Sequence, residues 1–543
     1  MNSKLEQMPR YQRAIAKAHL ASSGIPYDEM EKPIIAVVNS WNDIVPGHVP
    51  LQHLAEDVKR GIKEAGGLPL EFNTIAICDG ITQAHSGMRY SLPSRELIAD
   101  SVEAMVAGHN IFDGMVFLAG CDKIVPAFLM AAARLNLPSL FVTSGPMRNR
   151  VSPAEHKQLR LNFLQGLLSE RQLVEKTLNY YTEPGVCPFL GTANTMAIAA
   201  ESLGFSLPDN ALTPAASSER QALAYASGQR SVDLVREGLT PKRIFSKAAF
   251  VNTIRVIMAI GGSLNSCLHI LALAKETGIE LSLSDFAELS ETTPVLTRVN
   301  PNDDRYTVND LHQDGGVAAV LAGLEGLIDG SALTVSGGSL SAQFRAPQGQ
   351  GIIRTLQKPF ASEGGILVLK GNLAPEGALI KQSAIGEGAV FRGQAVVFAS
   401  EEEAMQAVNE DQDLEGKVVV VYGEGPSGGP GMRELHRLTE IKKKYREVAI
   451  VTDGRFSGKS DGWAVGYVSP EAAQGGPIGL IQEGDMVVID LKARSLSLEV
   501  EPEVLRERTT AYRCRPEASQ FLSSYGRRVS SAVWGACLDG GDD

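Results

Sequence analysis

The sequence predicts an α/β protein in two parts: an N-terminal three-layer α/β domain with a mostly parallel sheet, and a C-terminal β-barrel-like domain. Three observations predict it. In the first third, short apolar runs alternate with amphipathic stretches of roughly 12–20 residues, the pattern of parallel strands joined by helices. From about residue 350, short β-branched runs follow one another closely, separated by glycine turns. Glycine, 54 of 543 residues, clusters between apolar runs without a period, which fits tight turns and excludes a collagen-like fibre.

The elements follow in order. Pro33–Val38 reads as a buried strand, Leu51–Ala65 as a helix and Thr74–Ile77 as a second short strand. Arg95–Ala107 is a helix, Gly114–Ala119 a strand, Ile124–Leu135 a helix and Ser139–Thr143 a strand. Pro153–Tyr181, Ala193–Leu203 and Ser246–Glu276 read as helical, the last interrupted at Gly261-Gly262, and Ser284 is the expected N-cap of a further helix. The second part opens with the strand Gly365–Gly371. Ala389–Phe391, Ala395–Phe398, Val418–Tyr422, Val448–Thr452, Met486–Asp490 and Leu496–Val500 follow. The expected division is 1–355 and 356–543, with part of the tail after Glu501 docking on the body or on a partner subunit.

Composition narrows the function. Lys plus Arg is 51 and Asp plus Glu is 63, so the net charge is −12, which disfavours nucleic acid and anionic membrane as partners. No apolar run reaches the roughly 18 residues of a membrane-spanning helix, and Met1–Gln7 lacks a secretory apolar core, so a cytoplasmic location is expected. Six cysteines in 543 residues do not make a disulfide scaffold. They are core residues, nucleophiles or metal ligands.

Three of them stand at strand ends or glycine turns: Cys78 in Ile77-Cys78-Asp79-Gly80, Cys121 in Gly120-Cys121-Asp122-Lys123, and Cys187 in Gly185-Val186-Cys187-Pro188. Ligands of open parallel sheets gather at the carboxyl ends of strands, so Cys78 and Cys121 can meet although 43 positions apart. Three thiolates suit zinc or an iron–sulfur cluster with one open iron. Buried apolar cysteines would leave the same trace. Asp79 and Asp122 directly follow two of these cysteines and supply hard oxygen ligands for a divalent ion such as magnesium, or else turn and cap residues. Cys267, Cys514 and Cys537 have no carboxylate beside them and read as non-ligands. His48 and His85 lie near these segments.

The second part adds two loops after strands. Gly423–Glu434 is glycine-rich with two glutamates and an arginine, and fits neither a Walker motif nor a dinucleotide fingerprint. Asp453–Ser460 places glycines on both sides of Ser457, as in an anion-binding nest. Tight barrel turns would look the same.

Long strings now accumulate: Val38–His48, Ser91–Glu96, Gly120–Lys123, Gly191–Met196, Gly371–Pro375, Gly425–Glu434 and Asp453–Gly458. In these the chain resembles, over nearly its whole length, the iron–sulfur dehydratases that include dihydroxy-acid dehydratase, 6-phosphogluconate dehydratase and sugar-acid dehydratases. The resemblance implies a hydro-lyase that converts a 2,3-dihydroxy carboxylic acid to a 2-keto-3-deoxy acid. It implies cluster ligands at Cys121 and Cys187, magnesium ligands at Asp79, Asp122 and Glu434, a metal-binding and in some members carbamylated lysine at Lys123, and a serine base at Ser457. Members with a [2Fe–2S] cluster carry a cysteine where this chain has Gly47. Here Cys78 is the candidate third ligand, which favours a [4Fe–4S] cluster, with [2Fe–2S] as the alternative. A homodimer or dimer of dimers is expected, acting on a small hydroxy acid, with no nucleic acid or membrane partner.

The N-terminal and barrel strings are nearer the dihydroxy-acid branch, and the cysteine segments nearer the sugar-acid branch. A branched-chain dihydroxy acid is the first expectation and an aldonate or 6-phosphogluconate the alternative, with Arg148 and Arg150 as readers of a phosphate or polyol chain or else ordinary surface residues. A two-metal hydrolase on Asp79, Asp122 and Glu434 with structural cysteines ranks lower.

Overall fold

The computed structural model describes residues 3–83, 85–382, 385, 389–457, 462–510, 512–513, 517 and 519–538. Cys514 and the Gly458–Ser460 side of the nest expected around Ser457 lie outside them.

The first sheet holds β1 (Ile34–Asn39), β2 (Leu68–Asn73), β3 (Gly114–Ala119) and β4 (Ser139–Thr143) in the order β2-β1-β3-β4, all parallel. β1, β3 and β4 are buried along their whole length, as their unbroken apolar runs require when helices cover both faces. β2 sits at the edge and alternates, with Leu68 and Leu70 turned to the core side and Glu71 and Asn73 outward. Pro69 is tolerated there because an edge strand can spare an N–H. This corrects the expected strand at Thr74–Ile77. β1 ends at Asn39 opposite Asn73, so the later run has no partner to pair with and instead carries Cys78 out as a loop.

Two more expectations shift at breaks the chain supplies. Pro153–Tyr181 forms two helices, Pro153–Leu164 and Glu170–Thr177, parted at Gly166 (φ +73°) and restarted by a Ser169/Gln172 capping box. The cap of helix Leu283–Glu291 is Ser282, whose partner in the capping box is Asp285, rather than Ser284. Helices Arg10–Ser22 and Ser218–Glu237 carried no expectation. The second of these packs on helix Leu51–Glu64 at backbone contact. A Cβ at Gly228 would lie 2.1 Å from the Val58 carbonyl oxygen, and one at Gly61 2.1 Å from that of Tyr225.

The second sheet has eight strands: β5 (Ile366–Leu369), β6 (Gly377–Lys381), β7 (Val390–Phe398), β8 (Val418–Val421), β9 (Ala449–Thr452), β10 (Ala464–Ser469), β11 (Met486–Asp490) and β12 (Ser495–Leu498). Their order is β12-β11-β7-β8-β9-β10-β6-β5, and a bridge between Lys370 and Ser495 joins the two edges into a near-closed barrel. The two runs expected around residues 389 and 395 are the single strand β7, continuous through Gly393. β7, β8, β9 and β10 run parallel, so the loops after β8 and β9 emerge at one end of the barrel. That end faces the carboxyl ends of β1 and β3. The domains meet so closely that a Cβ at Gly431 (φ +95°) would lie 1.8 Å from the Arg89 carbonyl oxygen. The tail docks as expected: Arg95, fully buried, donates to the carbonyls of Gly535 and Ala536 at 2.8 and 2.9 Å.

Candidate active site

The segments singled out in the sequence converge where the two domains face each other. Cys121, Asp122 and Lys123 form the turn between β3 and helix Ile124–Leu135. Cys121 adopts φ +51°, an uncommon conformation for a residue with a side chain and one that recurs at functional sites. His48 braces this turn from within the core: its Nδ1–H donates to the Ser40 carbonyl at 2.8 Å and its Nε2 accepts from the Gly120 N–H at 3.3 Å. Burial holds its pKa below the usual value, consistent with a neutral ring that accepts at Nε2. His85 does the same for the exposed loop after Cys78, accepting from Gly87 N–H at 3.0 Å.

Asp79, Asp122 and Glu434 each offer an oxygen within 4.8 Å of the others'. Glu434 comes from the glycine-rich loop after β8, so both domains build the group. The Lys123 ammonium stands among these carboxylates, 2.7 Å from Asp79 Oδ2, 3.5 Å from Asp122 Oδ2 and 3.6 Å from Glu434 Oε1. A cation thus already occupies the neighbourhood where three hard oxygen ligands converge, and the donor set fits magnesium. Burial pushes the Asp122 carboxyl up to about 7, against the pull of Lys123. Burial acts on Asp79 too, but Lys123 and Arg455 outweigh it and hold that carboxyl below its usual range.

Arg455, in the loop after β9, is fully buried and donates from Nη1 to Glu434 Oε1 at 2.7 Å and from Nε to the Met432 carbonyl at 2.6 Å. The two loops meet at a single parallel bridge between Glu434 and Arg455, with Leu435 N–H donating to the Arg455 carbonyl at 2.8 Å. Ser457 follows two residues later and is buried. Two carboxylates pin the glycine-rich loop from below. Asp453 accepts from the N–H groups of Gly423 and Glu424 at 2.9 Å each, and Glu471 from those of Ser427 and Gly428 at 2.9 and 2.7 Å.

Cys78, Cys121 and Cys187 are outside any disulfide and of intermediate exposure, whereas Cys267 and Cys537 are buried core residues. Burial pushes the Cys121 thiol well above its usual value, and Cys78, Asp122, Cys187 and Asp79 all add to the push. Cys78 and Cys187 therefore both lie within electrostatic reach of Cys121, and a cationic soft-metal group would relieve that repulsion between thiolates. A Cβ at Gly47 would lie 2.7 Å from Cys121 Sγ, so this loop packs against the same sulfur. Arg148 and Arg150 are exposed, and Arg148 donates to the Ala216 carbonyl at 3.1 Å.

Three further neighbours are not candidates from the sequence, although Ser91 opens one of the strings that carry the resemblance. Ser91 donates to Asp79 Oδ1, Asn265 Nδ2 donates to Glu434 Oε1 at 2.7 Å, and Tyr467 donates to Asn265 Oδ1. Asn265 and Tyr467 sit in ordinary helix or strand patterns, so only their position in space marks them.

Among the described residues, no helix is long and apolar enough to cross a membrane. Residues 32–343 match the model for the N-terminal domain of dihydroxy-acid/6-phosphogluconate dehydratases, and residues 351–536 match that for the C-terminal domain. The chain is 43% identical to a dihydroxy-acid dehydratase of Pyrococcus abyssi over 541 residues, covering 97% of this chain and 98% of the relative. It is 46% identical to one of Ignicoccus hospitalis over 536 residues, covering 95% and 96%, and 44% identical to dihydroxy-acid dehydratase 1 of Methanosarcina acetivorans over 547 residues, covering 97% and 98%.

Proposed function

The chain belongs to the dihydroxy-acid/6-phosphogluconate dehydratase family, and from that premise we propose that it is a dihydroxy-acid dehydratase acting at the site between its two domains. The reaction removes water from a 2,3-dihydroxy carboxylate and yields a 2-keto acid. The observation that carries the reading is the convergence of Asp79, Asp122 and Glu434 around a buried cation, beside Cys78, Cys121 and Cys187.

We assign the divalent ion to Asp79, Asp122 and Glu434, with Lys123 as a fourth group once carbamylation replaces its ammonium by a carboxylate, and an iron–sulfur cluster of the [4Fe–4S] type to Cys78, Cys121 and Cys187. Bound there, these groups would supply Lewis-acid polarisation of the substrate carboxylate and 2-hydroxyl and of the departing 3-hydroxyl. The chain's own residues supply the rest. Ser457 takes the proton from C2, and the neighbouring Arg455 guanidinium favours the negative charge that the serine oxygen must carry as a base. The C2–H and C3–OH bonds break, water leaves, and the resulting enol gains a proton at C3 to become the ketone, with no net redox change. Arg455 and Asn265 hold Glu434 in place while charge develops. The turn braced by His48 keeps Cys121 and Asp122 on one rigid support.

The test is an anaerobic assay of 2-keto acid release from 2,3-dihydroxyisovalerate, C5 and C6 aldonates and 6-phosphogluconate, run beside iron and sulfide analysis. Turnover of 2,3-dihydroxyisovalerate with about four irons per chain is the expected result. Preference for an aldonate or 6-phosphogluconate would move the chain to the sugar-acid branch, and about two irons would remove Cys78 from the ligand set.

A further inference from the structure

Glu434 is held by a hydrogen-bond chain that starts in the barrel and passes through the other domain. Tyr467 lies in β10 where its register with β6 shifts between Gly466 and Ser469, and it adopts φ +60°, a conformation aromatic residues rarely take. Its N–H donates to the Gly454 carbonyl at 2.8 Å, which locks the distortion in place. The outcome is that the buried Tyr467 hydroxyl donates to Asn265 Oδ1, in helix Asn265–Thr277 of the N-terminal domain.

That contact decides which way the Asn265 amide faces. A tyrosine hydroxyl that donates must meet the amide oxygen, so Nδ2 is left pointing at Glu434 Oε1 (2.7 Å) and Thr192 Oγ1 (3.0 Å). A flipped amide would set its oxygen against the carboxylate. Arg455 Nη1 also donates to Oε1, and Lys123 approaches the same atom, so all of these contacts fall on one oxygen. Among the described residues these contacts leave Oε2 to face a cation.

We propose that Tyr467 and Asn265 are a cross-domain positioning pair that fixes the Glu434 carboxylate for divalent-cation binding, with the bulge in β10 serving to aim the tyrosine. Neither residue touches substrate. The inference rests on the assignment of Glu434 as a metal ligand made above.

The experiment is a Mn2+ titration of the full chain, prepared anaerobically with its cluster and stripped of divalent ions by chelation, read from the electron paramagnetic resonance of free Mn2+. Tyr467→Phe, Asn265→Ala, the double variant and Glu434→Gln are compared with the parent, and melting temperatures are recorded. Tyr467→Phe keeps the ring and removes one oxygen. Each single variant should raise the dissociation constant for Mn2+ about 10-fold, at the low end of losses seen when a ligand's outer partner is removed. The double variant should be no weaker than the weaker single, with melting in Tyr467→Phe lowered only by what one lost buried hydrogen bond costs. Parent-like Mn2+ binding in both singles, with binding lost in Glu434→Gln, would overturn the pair and leave the metal assignment standing. Independent, multiplying losses in the double variant would overturn the coupling. Parent-like binding in Glu434→Gln would remove the metal assignment and this inference together.

Discussion

The Lys123 ammonium lies 2.7 Å from Asp79 Oδ2 in a pocket where it is 1% exposed, so the three-carboxylate site carries its own counter-charge before any metal enters. Removing one partner of a buried pair leaves uncompensated charge at a cost of about 3–5 kcal/mol. In chelator-treated protein, Lys123→Met should therefore melt well below the parent. Millimolar Mg2+ should narrow the gap, because a divalent ion replaces the missing charge. A gap indifferent to Mg2+ in paired melting curves would speak against cation binding among these carboxylates.

Ser457→Ala removes the proposed base while changing one buried oxygen. General-base steps are worth about 10²–10⁴-fold in rate. Turnover should fall by about 10³-fold with iron, sulfide and divalent-ion content unchanged. Elemental analysis beside the assay separates this from collapse of the site, and turnover within about tenfold of the parent would assign the base elsewhere.

Glu201 gives the fold a pH dependence away from the site. Its carboxylate accepts from the N–H groups of Asp209 and Ala211 at 3.0 and 2.7 Å, yet burial pushes it up to about 7 from its usual 4.5. The folded chain thus holds this proton more tightly than the unfolded chain. The stability it contributes is fully present below about pH 4.5 and is lost as pH rises through about 7. At about 1.4 kcal/mol per pH unit, that is about 3 kcal/mol. Glu201→Gln cannot titrate, so its stability relative to the parent should improve by about that amount between pH 4.5 and pH 8 in denaturant unfolding. A difference constant with pH would contradict the assignment.

Gly228→Ala tests the helix contact that backs the parallel sheet. The new Cβ would lie 2.1 Å from the Val58 carbonyl oxygen, so the two helices must part, at a cost of about 1–3 kcal/mol or more. Gly108→Ala, in helix Ser91–His109 with nothing within 4 Å of its Cβ, should instead be neutral or stabilising by up to about 1 kcal/mol. Melting curves of the two variants should move in different directions or by clearly different amounts.

Much of this architecture was legible because buried parallel strands have a plain signature. β1, β3 and β4 are unbroken apolar runs followed by helices, and the turns that end β3, β8 and β9 carry cysteine, carboxylate or arginine beside glycine. The edge strand β2 was missed because Pro69 and its alternating pattern look unlike a buried strand, while the apolar run at Thr74–Ile77 looks like one and lacks a partner. β6 and β10 were missed for a related reason: Gly377–Lys381 is short, and β10 is interrupted by the shift that aims Tyr467. The site divides the same way. Residues adjacent to glycine turns, such as Asp122 and Glu434, declare themselves. Asn265 and Tyr467 act through distance in space, and a helix pattern such as Asn265-Ser266-Cys267-Leu268-His269 gives no sign that its first residue reaches a carboxylate 169 positions away.

The decisive measurement is 2-keto acid release from 2,3-dihydroxyisovalerate by anaerobically prepared, chelator-stripped protein as Mg2+ is added back. Turnover should be absent without the ion, return with about one ion per chain, and stay absent in Glu434→Gln. Full turnover without divalent ion, or undiminished turnover in Glu434→Gln, would contradict a dehydratase centre built on Asp79, Asp122 and Glu434.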